Sequence, residues 1–436
     1  MELHLPEAVV LLIEALERAG YPAYAVGGCV RDRLMGKNPH DYDICTAATP
    51  EQMRASLPEI RLLPTGEGHG TLTALVHGAA YELTTFRVDG AYSDHRRPDA
   101  VRYVPDLLQD LARRDFTINA MAYHPRLGLV DPFGGRSDLE GRQVRCVGDP
   151  ALRFEEDALR VLRALRFAAA CDFSVEPATA AAALAARGTL ACVARERILT
   201  ELTKLLCAPA PARGLIGFAP ILAAAAHGLA PLAIDALAWI RAARRVCAVP
   251  GPAASGGGME APVRGLRWAA LLWEMPEAAS PLLRGLLCDN ATRERAEALL
   301  SARDLPLTPE PRVLLRALRR LGPEAARQLA ALRLADCFAR SSGSASAEEI
   351  AAALAARSAD SPDPVAQALD ALLEQAPCYS LADLAVKGSD LSALGLRGPA
   401  VGRALNALLD AVIEGRADNR RDALLALAVS LRQEQA

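Results

Sequence analysis

The sequence predicts an α+β protein in which a mixed-sheet domain with helices precedes a larger all-helical portion. Three observations carry that prediction. Segments rich in β-prone residues and punctuated by glycine crowd into residues 1 to about 150. From Ala151 onward apolar residues recur at helical spacing, as in LRFEEDALRVLRALRFAAA. The 51% hydrophobic content comes largely from Ala and Leu, good helix formers, whereas aromatics contribute only 4%. At 436 residues the chain exceeds what one core usually organises, so about two to four domains are expected.

In chain order, AYAV (23–26), DYDIC (41–45), TLTALVH (71–77), YELTTFRV (81–88) and VRYV (101–104) read as short strands. Beyond Pro150 the breaks between helical stretches are short and marked by Pro or Gly. PGPAASGGGMEAP (250–262) has linker composition, and SSGSASAEE (341–349) reads as a loop leading through a Ser cap into a helix. No run of uncharged apolar residues is long enough to span a bilayer, and MELHLPEAVV lacks the basic start of a secretory leader, so a cytoplasmic protein with no membrane association is expected.

Ten cysteines are scattered without a C-x-x-C pair, which argues against a zinc ribbon or a disulfide scaffold. The net charge of −3 does not announce a nucleic-acid binder, although a local basic surface can hide in a balanced sum. Lysine occurs three times (Lys37, Lys204, Lys387) among 49 basic residues, so a lone arginine carries little weight.

The densest chemistry lies in GGCVRDRLMGKNPHDYD (27–43). Gly27 and Gly28 follow the apolar strand AYAV and open a short helix that Gly36 can cap, so backbone N–H groups lie where a triphosphate could approach. Arg31, one turn into that helix, can reach phosphate oxygens. If DYDIC is a strand, Asp41 and Asp43 project from one face and repel each other unless a hard divalent cation such as Mg²⁺ sits between them. Taken alone, the pair fits a solvated turn as well as a metal platform. Strand, glycine pair, helix with R-D, loop and D-x-D together form a compound signal.

With those residues in that order, the segment resembles the head-domain signature of the polymerase-β-like nucleotidyltransferases. The whole chain resembles the class II tRNA nucleotidyltransferases, the CCA-adding enzymes, whose relatives include bacterial poly(A) polymerases. The resemblance implies that Asp41 and Asp43 hold two Mg²⁺ ions, and that Gly27, Gly28, Arg31 and Asp32 belong to the nucleotide site. Glu82 in YELTTFR is the candidate third carboxylate, with a solvated strand residue as the other reading.

LARRDFTINAMAY (111–123) matches the second signature, in which Arg113, Arg114 and Asp115 recognise the sugar and phosphates and Asn119 supports them. Arginine offers a planar donor fork for phosphate, and Asp115 can accept from a ribose 2′-OH. Arg113 and Arg114 are expected to point in different directions. Without the resemblance, R-R-D also fits a salt-bridged surface helix.

RFEEDALRVLRALRF (153–167) is expected to be one helix carrying Asp157, Arg160, Arg163 and Arg166 as a broad polar stripe, which also fits an exposed salt-bridged face. The resemblance makes Asp157 and Arg160 the nucleobase template and Arg163 and Arg166 further nucleotide contacts. A carboxylate accepts from the exocyclic amine that C and A both carry, and a guanidinium donates to ring or carbonyl acceptors, so G and U leave partners unpaired. ARERILTELTKLL (194–206), with Arg195, Glu196, Arg197, Glu201 and Lys204, matches the family's neck helix and is assigned a supporting role in holding that helix.

The polar segment 86–104 resembles the loop associated in the family with adding the terminal A. RWAALLWEMPEA (267–278) stands where relatives often carry a remnant of an HD-type hydrolase, but Trp273 and Glu274 occupy the pair's positions, so packing and no second metal-dependent hydrolase are expected. GLRGPAVGRAL (395–405), with Lys387, Arg397 and Arg403 nearby, fits either a hairpin-like tRNA backbone site or a helix–helix turn.

The resemblance thus divides the chain into a catalytic head (1–150), a nucleobase-recognising neck (151–215), a body (216–335) and a tRNA-binding tail (336–436). The implied activity is template-independent addition of C, C and A to the tRNA 3′ end from CTP and ATP, releasing pyrophosphate, with no protein partner implied. An A-adding or CC-adding enzyme of a split system, a poly(A) polymerase and a non-catalytic RNA-binding protein are the alternatives.

Overall fold

The computed structural model describes residues 3–90, 101–228, 236–251, 260–341, 346–357 and 363–434. The middle of the 86–104 segment, most of the 250–262 segment and part of the 341–349 segment lie outside the described residues. The chain forms two compact units, Met1–Trp239 with Pro281–Cys288, and Ile240–Ser280 with Asp289–Ala436.

The first unit opens with α1 (Glu7–Arg18), β1 (Ala23–Val26), α2 (Gly28–Leu34), β2 (Asp43–Thr46) and α3 (Pro50–Ser56). It continues through β3 (Arg61–Gly66), β4 (Thr71–Val76), β5 (Ala79–Thr85), β6 (Arg87–Asp89) and β7 (Val101–Tyr103). Next come α4 (Leu107–Ala112), β8 (Ala122–His124), β9 (Gly128–Val130) and α5 (Gly135–Glu140). Seven strands pair in the order β3-β4-β5-β2-β1-β8-β9. The β2–β5 pairing is parallel, with Asp43 opposite Glu82, whereas β1 runs antiparallel to both β2 and β8.

Period-2 alternation gives the sheet two faces. Ala23, Ala25, Ile44, Leu72, Ala74 and Leu83 bury one face against the apolar stripe of α1 (Val9, Leu12, Ile13, Leu16) and Met53 of α3. Val26 and Cys45 bury the other against Phe86 and Leu111, with Tyr24 and Leu107 packed beside them. Asp43 lies two residues before Cys45 and so shares this second face, as does its cross-strand partner Glu82.

Several expected strands take a different form. AYAV is β1 as expected, but β2 begins at Asp43, leaving Asp41 ahead of the ladder and exposed. The reason lies in the partner strand: Val26, opposite Asp43, is the last residue of β1, and Gly27 at φ 77° and ψ −128° turns the chain away. The same-strand argument for Asp41 and Asp43 therefore does not hold. YELTTFRV divides between β5 and β6, and β6 pairs with β7 in a separate two-stranded ribbon. The strands β3, β8 and β9 were not expected: β3 contains Pro64 and shifts register between Leu63 and Gly66, and β8 and β9 have three residues each, too few for a periodic signal.

In the second unit helices pack on helices, among them Ala261–Leu272, Asn290–Ser301, Pro311–Leu321 and Pro323–Ser341. Trp273 is buried, and Glu274 accepts from Arg241 (2.8 and 2.7 Å) and from Arg245 (2.7 Å), so this segment is a packed ionic joint. Residues 394–398 form a turn between the helices Gly388–Ala393 and Pro399–Ile413, with Gly395 at φ 88° and Gly398 at φ 52°. Among the described residues no helix is long and apolar enough to cross a membrane.

Gly135 shows how tightly the first unit is built around its site. A Cβ at this position would lie 2.3 Å from the carbonyl oxygen of Thr117 and 2.9 Å from Cγ of Met121, on the segment leading to Asn119. Gly135→Ala is expected to cost about 1–3 kcal/mol through overpacking, read as a lower midpoint in denaturant unfolding.

Candidate active site

A cavity of about 420 Å³ opens in the first unit. The β1–α2 turn contributes Gly27, Gly28 and Arg31, and β2 contributes Asp43. The segment after α4 supplies Arg113, Arg114, Asp115 and Asn119, and the helical stretch beyond residue 150 supplies Asp157, Arg160, Arg163 and Phe167. Asp32, Asp41, Glu82 and Arg166 lie outside this lining. Residues far apart in sequence meet here because the last residue of β1, Val26, stands opposite the first of β2, Asp43, and Asn119 and Asp115 tie the later segments to Arg31 and Arg163. Gly27 has a left-handed backbone, and a Cβ on it would lie 3.0 Å from Nη1 of Arg114, so a side chain there would crowd the cavity wall.

The acidic corner has a distinct electrostatic character. Burial first, and then the Glu82 carboxylate, push the Asp43 carboxyl above its ordinary range; Arg114 partly offsets this and Asp41 adds to it. Among the described residues no hydrogen bond or ion pair reaches the side chains of Asp41, Asp43 or Glu82. Asp43 is partly buried while Asp41 and Glu82 are exposed, and like charges left side by side without a partner fit a hard cation. Among the described residues no three His, Cys, Asp or Glu side chains converge as a preformed metal cage. A two-carboxylate platform that leaves the remaining positions to water and substrate oxygens is the arrangement these donors suit.

The arginines, in contrast, are each tethered. Arg113 donates to Oδ1 of Asp110 (3.0 and 2.8 Å) and Arg114 donates to Oδ2 of the same carboxylate (3.2 Å). The two therefore share one anchor, contrary to the expectation that they diverge; Asp110 sits three and four residues earlier, on the same side of α4. Burial would raise the Asp110 carboxyl, but Arg114 and Arg113 outweigh it and hold it below the ordinary range. Arg31 donates to Asp32 (2.8 Å) and to Oδ1 of Asn119 (2.7 Å).

Asp115 is buried and fully engaged. Its Oδ1 accepts from the Phe116 N–H (2.8 Å) and from Nδ2 of Asn119 (3.1 Å), and its Oδ2 accepts twice from Arg163 (2.8 and 2.6 Å). Burial pushes the carboxyl up, but Arg163 and these hydrogen bonds hold it at about 2.

The expected single helix over 153–167 is broken. α6 (Pro150–Glu156) ends at Asp157, which is extended (φ −134°, ψ 103°), and α7 (Leu159–Cys171) starts afresh. Asp157 causes part of this break: its Oδ1 accepts from the Leu159 N–H (3.1 Å), the short-range bond by which Asp competes with helix continuation. Asp157 also accepts from Arg197 (3.4 Å), and Arg166 pairs with Glu201 (2.6 Å), so the helix Arg195–Leu206 does brace this region. Arg160 donates to Glu156 (2.5 Å) and to the carbonyls of Arg153 and Arg113 (3.1 Å each).

Asp110, Glu156 and Phe167 are site residues that the sequence reading missed. Asp110 could have been found from D-x-x-R-R, an (i, i+3/i+4) ion-pair spacing, and Glu156 from the same spacing to Arg160. Phe167 has only its helical register four residues beyond Arg163 to recommend it.

Three family models match the chain: "Poly A polymerase head domain" over residues 23–145, "Probable RNA and SrmB- binding site of polymerase A" over 172–217, and "tRNA nucleotidyltransferase domain 2 putative" over 264–428. The "CCA-adding enzyme" of Lactiplantibacillus plantarum is 34% identical over 433 residues, covering 97% of this chain and 95% of that protein. The chain belongs to the CCA-adding enzyme family. The family member from Levilactobacillus brevis is 47% identical over 215 residues, 49% of this chain and 54% of that relative, so this match spans about half of the relative's length. A crystal structure of the Bacillus stearothermophilus CCA-adding enzyme in complex with CTP is 32% identical, with a TM-score of 0.75 and coverage of 98% of this chain and 97% of that one. CCA-adding nucleotidyltransferases generally work with divalent metal ions.

The buried Asp115 carboxylate gives this site a pH signature. A depressed carboxyl stabilises the fold above its unfolded pKa of about 4, and that contribution is lost as pH falls through its folded value of about 2. Asp115→Asn is expected to cost about 2–3 kcal/mol at pH 7. In denaturant titrations the gap from wild type should close between about pH 4 and pH 2.

Proposed function

We propose that this chain adds C, C and A to the 3′ end of tRNA from CTP and ATP without a nucleic-acid template, releasing pyrophosphate. The observation that carries this reading is an unpaired acidic corner, Asp43 beside Glu82 in register and Asp41 just ahead of the strand, at the edge of a cavity lined by five arginines. Asp41 and Asp43 would hold Mg²⁺, with Glu82 beside them. When bound, the metal supplies Lewis-acid stabilisation of the triphosphate and a lowered pKa for the attacking hydroxyl.

The chain's own residues do the rest. Gly27 keeps the cavity wall free of a side chain, so that phosphate oxygens can approach the backbone, and Asp32 turns Arg31 toward that approach. Arg31, Arg113 and Arg114 are charged donors for the triphosphate and ribose, each already aimed by its carboxylate or amide partner. Asp115 acts through Arg163 and Asn119, since both of its oxygens are engaged internally. Asp157 faces the cavity with a carboxylate held by Leu159 N–H and Arg197, and Arg160 keeps Nε–H and one Nη2 hydrogen beyond its three internal bonds. A cytosine or adenine amine donating to Asp157 while Arg160 donates to a ring acceptor satisfies both; guanine and uracil leave them unpaired. Arg163 and Arg166 complete the base end of the site.

We assign residues 1–150 as catalytic head, 151–215 as neck, 216–335 as body and 336–436 as the tRNA-binding tail, and place the enzyme in the cytoplasm, where its tRNA substrate is made. The test is extension of a tRNA lacking its last three nucleotides, with CTP alone, ATP alone and both. Stopping after C, C and A supports the reading; runs of A from ATP alone replace it with poly(A) synthesis, and a stop after C, C or a requirement for a C, C end replaces it with a split system. Asp43→Ala is expected to reduce addition about a thousandfold, by removing about 4 kcal/mol of transition-state stabilisation, while tRNA binding persists in a filter assay.

A further inference from the structure

Phe167 carries a feature that neither the sequence motifs nor the family relationship accounts for. Its ring is 7% exposed and lines the cavity, and three guanidinium groups lie over it: Arg166 with Cζ 3.9 Å from the ring centroid, Arg31 at 5.2 Å and Arg163 at 5.3 Å. All three fall within the roughly 6 Å at which a cation is attracted to an aromatic face. Phe116 meets the ring edge-on, with centroids 5.7 Å apart and planes at 75°, and so fixes its orientation from behind.

Three cations converging on one point repel each other, so their convergence needs an opposing attraction. Each also has polar anchors: Arg31 at Asn119 and Asp32, Arg163 at Asp115, and Arg166 at Glu201. Those anchors hold the N–H edge of the guanidinium, the same edge that a phosphate or a base would take. A cation over an aromatic ring needs no N–H donor, so the ring can hold each group whichever partner its N–H groups have. An incoming anion can therefore displace a carboxylate from the edge without releasing the guanidinium from the ring.

We propose that Phe167 is a positioning residue for nucleotide binding, an aromatic hub that keeps Arg31, Arg163 and Arg166 converged while their N–H edges pass from internal partners to the nucleotide. The inference rests on the nucleotide-site reading above. It requires the π face, not merely the volume, of the side chain.

Equilibrium binding of CTP and of ATP, each with Mg²⁺, to the full-length chain comes first; no binding by the wild type overturns the nucleotide-site reading itself. Phe167→Leu and Phe167→Met keep apolar bulk without a ring, and Phe167→Tyr keeps the ring. Leu and Met are expected to weaken binding of both nucleotides and raise both KM values about five- to tenfold with kcat within about twofold, whereas Tyr stays within about twofold of wild type. Wild-type affinity in Leu or Met, or a loss in Tyr equal to that in Leu, overturns the hub. Thermal unfolding is followed for each variant, and if Leu does not fold, the Met and Tyr pair decides.

Discussion

The site depends on one buried carboxylate. Asp115 receives the Phe116 N–H, the Asn119 amide and Nε and Nη2 of Arg163, and Asn119 passes the connection on to Arg31. A continuous relay of hydrogen bonds thus runs from α2 at the edge of the sheet, through the segment after α4, to α7. A buried carboxylate with this many donors is held as an anion, and Arg163 supplies the opposite charge beside it. The relay therefore ties the position of α7 to that of the strand ends, and with it the position of everything α7 carries.

The charges in the cavity are divided in kind. Every lining arginine has an internal partner, so the guanidinium groups are aimed but not free, and they offer a nucleotide an exchange of partners rather than a bare positive field. Among the described residues the side chains of Asp43 in β2 and Glu82 in β5 have no hydrogen-bond or ion-pair partner, and Arg114 offsets their mutual repulsion only in part. A cation between a triphosphate and these acids would relieve that repulsion, which connects the electrostatics of this corner to the use of divalent metals general in the family. Asp110 follows the same logic, gathering two adjacent arginines on one carboxylate so that both lie along the cavity wall.

Much of this was legible in residue order. The strand AYAV, the turn at Gly27, the acidic pair and the R-R-D segment are local signals whose chemistry survives any packing, and the contrast between a Gly-punctuated start and an Ala- and Leu-rich remainder foretold the fold class. The errors cluster where local pattern competes with a neighbour in space. Asp41 leaves the strand because β1 runs out opposite Asp43, a limit set by the partner strand. The helix over 153–167 breaks where Asp157 goes extended and accepts the Leu159 N–H, an outcome that apolar periodicity running unbroken through the segment conceals. Arg113 and Arg114 share Asp110 because α4 ends beside them, turning their side chains back onto its last turn.

The sequence by itself determined which residue types stand ready for phosphate, metal and base, and that they fall into an α+β head followed by helices, because glycine turns, paired acids and arginine clusters are properties of a few adjacent residues. Tertiary structure alone decided that Glu82 stands opposite Asp43, that Asp115 serves Arg163 rather than solvent, and that three arginines gather over Phe167. The first two contacts join residues 39 and 48 positions apart, and Arg31 reaches Phe167 across 136 positions to join Arg163 and Arg166 of the ring's own helix; these long-range outcomes are set by strand register and by which charge is left without water, and neither quantity exists until the chain has folded.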